Sequence, residues 1–157
     1  MIIYYSQARG NTRRIAELIH AEKGYDLCSI ETAEPYTGTY QEIVDLGQEE
    51  VENHYKPVLK PLDVSLEQYD RLIVMTPTWW YTMAPAVLCF LSEHSFVGKM
   101  IVPVQTHGGW PGHTINDMKA AAPGATFQNA FAVQFDSTGG DELVTGGAEI
   151  LNWIHQL

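Results

Sequence analysis

The chain has 157 residues, 45% of them hydrophobic and 18% charged, a composition that is typical of a globular protein able to bury a core without disulfides. Its 19 acidic side chains outnumber its 9 basic ones, which gives a formal net charge of -10. Such a charge repels nucleic acid and anionic membranes, so we exclude both as partners and expect a protein partner to approach with a basic surface.

Strand-like and helix-like segments alternate along the chain. Short apolar runs predict strands at residues 2–5, 26–30, 71–75, 100–104 and 126–135. Segments with helical spacing or helix-start residues predict helices at residues 12–21, 40–55, 85–93, 114–122 and 141–156. Pro103 conflicts with this assignment, because a proline inside a strand removes a ladder hydrogen bond.

This alternation predicts an α/β fold with a parallel sheet and helices on both faces. Right-handed crossovers restrict the topology to doubly wound forms, and for the five-stranded parallel sheet we expect the strand order 2-1-3-4-5. With that order, the loops after the first, third and fourth strands lie side by side. Ligands of such sheets bind beyond the carboxyl ends of the strands, so these loops are where we expect a site.

The two cysteines and the N-terminal composition bear on compartment and domain number. Cys28 and Cys89 are distant in sequence and lie in apolar runs, which is typical of buried, reduced thiols. The sequence begins without a basic and then apolar leader, and no apolar run has membrane length. We expect a cytoplasmic protein consisting of one domain over residues 1–157.

The loop after the first strand has the composition of an anion site. Gly10 permits a tight turn, and Ser6, Asn11 and Thr12 bring hydroxyl and amide groups. The helix that follows directs free N–H groups and its positive dipole end to the same place, which suits a phosphate. A simple N-cap by Asn11 or Thr12 explains these residues as well. The patterns typical of NAD-binding folds and of Walker-type kinases are absent.

The loop after the third strand contains three adjacent aromatic residues, Trp79, Trp80 and Tyr81, preceded by a proline that stiffens the backbone. Leaving them in water would expose a large apolar surface, which a flat aromatic ligand would cover. The alternative is that they pack beneath a neighbouring loop.

The loop after the fourth strand combines glycines with aromatic and imidazole side chains. Gly108 and Gly109 let the main chain approach a planar ligand edge, and Trp110 offers another stacking surface. His107 suits a hydrogen-bonding or proton-relay role, or is simply solvated. No cluster of carboxylates or thiols accompanies His107 and His113, so we do not expect a metal.

One phosphate-type loop beside two loops suited to a heteroaromatic ring is the arrangement that FMN requires in a doubly wound sheet. Three segments, YYSQARGNTRRIAELI, YDRLIVMTPTWWYTMAPAVLCFL and GKMIVPVQTHGGWPGHTINDMK, resemble the flavodoxin family in register over nearly the whole chain. The sequence is most similar to the bacterial flavodoxin-like group that carries Pro-x-Trp-Trp and Thr-His-Gly-Gly loops.

The resemblance implies a non-covalently bound FMN and assigns its contacts. It places around the phosphate Ser6, Ala8, Arg9, Gly10, Asn11 and Thr12. It places along one side of the ring Pro77, Thr78, Trp79, Trp80 and Tyr81. It places along the other side Thr106, His107, Gly108 and Gly109, with Gly112 supporting the loop. No protein residue is expected to be catalytic, because the flavin carries the redox chemistry, and a main-chain carbonyl between Trp79 and Tyr81 is expected near N5 of the ring.

Three functions follow as hypotheses, and the sequence leaves open whether the protein is an enzyme. The first is an electron-transfer flavoprotein that serves a redox partner protein, either a reductase or an oxidase. The second is an NAD(P)H-dependent FMN or quinone reductase on the same fold. The third is a flavin-free binding module that uses its aromatic loop. The loops after the third and fourth strands lack the acidic residues that many flavodoxins carry there, which argues against an acidic docking surface around the ring.

Overall fold

The computed structural model describes residues 1–157 and has the predicted α/β architecture. The strands are β1 (Ile2–Tyr4), β2 (Leu27–Ser29), β3 (Arg71–Trp79), β4 (Thr82–Met83), β5 (Met100–His107), β6 (Thr126–Phe127) and β7 (Phe131–Gln134). The helices are α1 (Asn11–Lys23), α2 (Tyr40–Glu52), α3 (Pro85–Glu93), α4 (Thr114–Ala121) and α5 (Gly147–His155), with a 3-10 turn at Leu66–Gln68.

The strand order confirms the doubly wound sheet. The hydrogen-bonded path runs β2-β1-β3-β5-β6, and β7 pairs with β5 beyond β6. These pairings are all parallel, whereas β4 is a two-residue antiparallel return of β3. With β6 and β7 counted as one interrupted edge strand and β4 set aside, the sheet has five positions in the order 2-1-3-4-5.

Pro103 sits in β5 at a place where the neighbouring edge strand is broken. On one side it pairs with Val74 of β3. On the other side β6 pairs with the first two residues of β5 and β7 pairs only from Val104 onward. Pro103 therefore faces the gap between β6 and β7, where the edge strand offers no ladder hydrogen bond to lose.

The core consists of two layers, one on each face of the sheet. Ile3 and Val74 face a layer that includes Phe90 of α3 and Met118 of α4. Their neighbours in sequence face the opposite layer, which α1 and α5 cover with Ile15 and other apolar side chains. Alternate residues of each strand thus enter opposite layers, which explains why the buried strands have continuous apolar sequences.

The last helix is shorter than predicted. Its assignment to residues 141–156 is wrong for 141–146, because α5 begins only at Gly147. The preceding segment folds as a loop around Asp136, whose carboxylate accepts backbone hydrogen bonds from Thr138, Gly140 and Glu142. In addition, no helix of the fold is both long and apolar enough to cross a membrane.

Candidate functional site

A cleft of about 350 Å³ lies at the carboxyl ends of the central strands. Its volume is in the range of small-molecule sites. Most of the residues predicted to bind the cofactor line it: Ala8, Arg9, Asn11, Thr12, Pro77, Thr78, Trp79, Trp80, Tyr81, Thr106, His107 and Gly108. The fold therefore brings the three predicted loops together around one space.

Unpaired backbone amides form one end of the cleft. Among the N–H groups between β1 and the first turn of α1 that have no acceptor within the protein, five belong to residues of the cleft lining: Gln7, Ala8, Arg9, Asn11 and Thr12. Left-handed backbone at Ala8 (φ 53°) and Gly10 (φ 75°) turns the loop into the first turn of α1. Consecutive free amides at a helix N-terminus form a concave site for an anion.

Ser6 and Gly10, which were also predicted to contact the ligand, shape this loop without lining the cleft. The Ser6 hydroxyl accepts a hydrogen bond from the Arg13 amide at 3.2 Å, and the Gly10 amide donates to the Gln7 carbonyl at 3.2 Å. Ser6 thus satisfies one amide of the first helical turn and leaves the others free.

Two side chains join the amide end to the neighbouring loops. The hydroxyls of Thr12 and Thr106 lie 2.8 Å apart and are buried, which connects the start of α1 to the end of β5. The Asn11 amide nitrogen donates to the Gly140 carbonyl at 2.9 Å. The buried Asn11 Oδ1 has no donor within the protein.

The three adjacent aromatic residues at the end of β3 and in the turn that follows it have different environments. Trp79 lines the cleft but also packs edge-on against Tyr5 and Tyr36, so the packing alternative is correct for part of its surface. Trp80 is 40% exposed and its indole N–H donates to the Val44 carbonyl of α2 at 2.9 Å. Tyr81 is 52% exposed. Trp80 and Tyr81 therefore provide the apolar surface that a flat ligand can cover.

The β3–β4 hairpin holds Trp80 and Tyr81 in a strained turn. Both have positive φ, 46° and 69°, which bulky residues adopt only when the surrounding structure imposes it. The His113 amide donates to the Tyr81 carbonyl at 2.8 Å. Asp117, in the first turn of α4, accepts hydrogen bonds from the side chains of Thr82 and His113.

Gly112 packs directly on this hairpin. A Cβ at Gly112 would overlap the backbone of Tyr81, and its φ of 57° also favours glycine. Gly112 and Gly109 lie outside the cleft lining. The His113 amide donates to the Tyr81 carbonyl, whereas the Trp80 carbonyl in the same turn accepts no hydrogen bond within the protein.

His107 lines the cleft as a neutral side chain. The Gly109 amide donates to His107 Nδ1 at 3.0 Å, so that nitrogen carries no proton and Nε2 is the N–H donor. Burial lowers the pKa of His107, which agrees with a neutral ring. The histidine thus contributes a hydrogen-bond donor and no positive charge.

Sequence reasoning missed two walls of the cleft. The first is α2, which lines it with Tyr40, Ile43, Val44 and Gly47, at the i, i+3, i+4, i+7 spacing of a helix face. This spacing is visible in the sequence and marks the four residues as one face of the helix. Gln7, within a predicted loop, was missed because its contribution is a backbone amide.

The second missed wall is the loop after β7, which contributes Ser137 and Gly139. Asp136 organises this loop, and hydrogen bonds, first that from the Thr138 hydroxyl, lower the pKa of its carboxyl to about 2. Tyr40 lies against it, since a Cβ at Gly139 would be 2.6 Å from the Tyr40 hydroxyl. Ligands of such sheets bind beyond the carboxyl ends of the strands, and this applies equally to β7 at the fifth position of the sheet.

Comparison with known proteins gives one family and several structures. The family model described as Flavodoxin matches residues 1–145. A putative flavoprotein from Bacteroides uniformis has a TM-score of 0.81 at 21% identity, over 99% of this chain and 96% of that one. A flavoprotein from Lactobacillus acidophilus in complex with FMN has a TM-score of 0.70 at 20% identity, over 83% and 89% of the two chains. A comparison with curated proteins finds no match.

Proposed function

The chain belongs to the flavodoxin family, and on that premise we propose that it binds FMN without a covalent link and exchanges electrons through it. One observation carries the proposal. The five free amides after β1 line the same cleft as Trp80, Tyr81 and His107, so a phosphate site and a ring site share one space.

The chemistry of the donor set fits this cofactor. The free amides suit the phosphate. Trp80 and Tyr81 provide stacking surface for the ring, and His107 Nε2 provides a neutral donor to a ring carbonyl or nitrogen. The Trp80 carbonyl is an acceptor that the chain itself does not use. The flavin supplies the redox chemistry when bound, and the protein controls its position and access.

We favour an electron carrier because the cleft has little acid–base equipment of its own. Its histidine is neutral, and no Asp, Glu, Lys or Cys lines it. A carrier needs only to bind the ring and expose an edge of it, which the open, aromatic mouth of the cleft allows.

The second candidate is an NAD(P)H-dependent reductase of flavin or quinone. Tyr81 and Trp110, 52% and 58% exposed, border the cleft and offer a surface on which a second planar ring could stack. Steady-state oxidation of NADPH with a quinone by the FMN-loaded protein distinguishes the two functions. Rapid turnover supports the reductase, and its absence supports the carrier.

For a redox partner protein, we propose that α2 provides the docking surface. Four carboxylates form an exposed stripe along α2: Glu42, Asp45, Glu49 and Glu52. They follow the i, i+3, i+7, i+10 spacing of one helix face, and this helix contains no Lys or Arg. None of these carboxylates forms an ion pair. The opposite face of α2 lines the cleft, so a basic partner bound to this stripe would lie beside the site.

Titration of the purified chain with FMN, followed by flavin absorbance and fluorescence, tests the binding proposal. We expect one FMN per chain and a shifted flavin spectrum. Electron transfer to cytochrome c, a basic haem protein, then tests the docking surface. The combined changes Asp45→Asn, Glu49→Gln and Glu52→Gln should slow this transfer at low salt without changing FMN affinity; Glu42 is kept, because its carboxylate caps α2 through Thr39. A chain that takes up no FMN would contradict the proposal.

A further inference from the structure

Beneath the ring end of the cleft lies a cluster of three aromatic side chains and one carboxylate: Trp79, Tyr5, Tyr36 and Glu50. Trp79 lines the cleft, and the two tyrosines contact it edge-on from the protein side. The ring centroid of Tyr36 is 5.2 Å from that of Trp79, and that of Tyr5 is 6.0 Å away. Both tyrosine rings are therefore in contact range of the Trp79 ring.

The two tyrosine hydroxyls differ in their hydrogen-bond partners. The Tyr36 hydroxyl donates to Glu50 Oε2 at 2.6 Å. The Tyr5 hydroxyl is buried and has no partner at all. A tyrosine that loses an electron also loses its phenolic proton, because the oxidised phenol is a very strong acid. Tyr36 has a carboxylate in place to accept that proton, and Tyr5 has nothing.

We propose that Trp79, Tyr36 and Glu50 form an internal electron donor for the bound flavin, active when the oxidised ring is excited by blue light. This inference rests on the proposed binding of FMN. The Trp79 indole would give one electron to the excited ring. Tyr36 returns an electron to Trp79, and its phenolic proton moves along the existing hydrogen bond to Glu50. The balance is one electron gained by the flavin, a neutral tyrosyl radical at Tyr36 and a protonated Glu50 carboxyl.

The local electrostatics suit this transfer. Burial, followed by the hydrogen bond to Glu50, raises the pKa of Tyr36, so its proton stays on the phenol until an electron is removed. Burial raises the pKa of Glu50, which makes this carboxylate a better proton acceptor than an exposed one.

The test uses the FMN-loaded chain and three single variants. Tyr36→Phe removes the electron donor, Glu50→Gln keeps a hydrogen-bond acceptor but removes the proton acceptor, and Tyr5→Phe is the matched control. After a blue flash, transient absorption and electron paramagnetic resonance report the tyrosyl radical. We expect the radical in the wild type and in Tyr5→Phe, and none in Tyr36→Phe. In Glu50→Gln its yield should fall by about a hundredfold, the lower range of what a positioned proton acceptor contributes.

FMN uptake is measured first in every variant, so the failure of the two proposals can be separated. A chain that binds no FMN overturns both. A chain that binds FMN but forms no tyrosyl radical, or forms it equally in Tyr36→Phe, overturns the internal donor and leaves FMN binding intact. A normal radical yield in Glu50→Gln overturns the role of the carboxylate. Circular dichroism of each variant checks that it remains folded.

Discussion

Backbone amides form one end of the cleft, and side chains form the other. The end after β1 consists of backbone amides whose direction is set by the turn at Gly10 and the start of α1. The opposite end consists of side chains on a strained hairpin, supported from behind by Gly112 and Asp117. A backbone site depends on a few neighbouring residues, whereas a side-chain site depends on everything that packs against it. Changes behind the hairpin should therefore have larger effects than changes within the amide loop.

The largest effect is expected at Gly112. Gly112→Ala places a methyl group against the backbone of Tyr81, so the hairpin must move or the loop must open. We expect a loss of about 3 kcal/mol in the free energy of unfolding and weaker FMN binding. Urea denaturation and flavin titration measure both. The matched control is Gly24→Ala, with a similar φ and nothing within 4 Å, which should cost about 1 kcal/mol. Equal costs would show that the contact with Tyr81 is unimportant.

The next effect tests the link between the two ends. Thr12→Val removes the buried hydrogen bond to Thr106 and leaves that hydroxyl without this partner. We expect a loss of about 2 kcal/mol in the free energy of unfolding. Thr126→Val, which loses only an exposed 3.4 Å contact with the Lys99 carbonyl, should change it by less than about 0.5 kcal/mol. If the two variants were equally stable, the loops would not be coupled through this pair.

A smaller effect of opposite sign is expected beneath the ring end. Tyr5→Phe removes a buried hydroxyl that has no hydrogen-bond partner, while keeping the ring against Trp79. The protein should become more stable by about 1 kcal/mol, because the cost of burying an unpaired hydroxyl disappears. Urea denaturation of the variant checks this. A loss of stability would mean that the hydroxyl has a partner in solution.

The smallest effect concerns pH. Burial lowers the pKa of His107, so the unfolded chain binds a proton at a higher pH than the folded one. The stability due to neutral His107 is present above about pH 6.5, the ordinary histidine value, and is lost as pH falls toward the lower folded pKa. NMR titration should give a pKa for His107 below 6.5, and His107→Asn should unfold with a weaker dependence on pH in this range. A pKa above 6.5 would contradict the neutral donor.

The sequence predicted the amide end well because its determinants are local. Gly10, the residues before α1 and the strand-end rule are all visible in one short segment. The spacing of Tyr40, Ile43, Val44 and Gly47 marks one face of α2, but nothing local says that this face borders the cleft, so this wall escaped prediction. Residues 141–146 were mistaken for helix because the Asp136 carboxylate, with several donors in sequence, organises the segment before α5 as a loop, and composition does not reveal that arrangement. The left-handed turn at Trp80 and Tyr81 opposes local preference, and residues distant in sequence, Gly112, His113 and Asp117, contact the hairpin that contains it.

Comparing the affinities of the apo chain for FMN and for riboflavin tests the central claim most directly. The two ligands share the ring and the ribityl chain and differ only in the phosphate, so the ratio of their dissociation constants isolates the amide end. If the five free amides bind the phosphate, riboflavin should bind more weakly than FMN by about a hundredfold, or about 2.7 kcal/mol. Equal affinity for the two ligands, or binding of neither, would contradict the account.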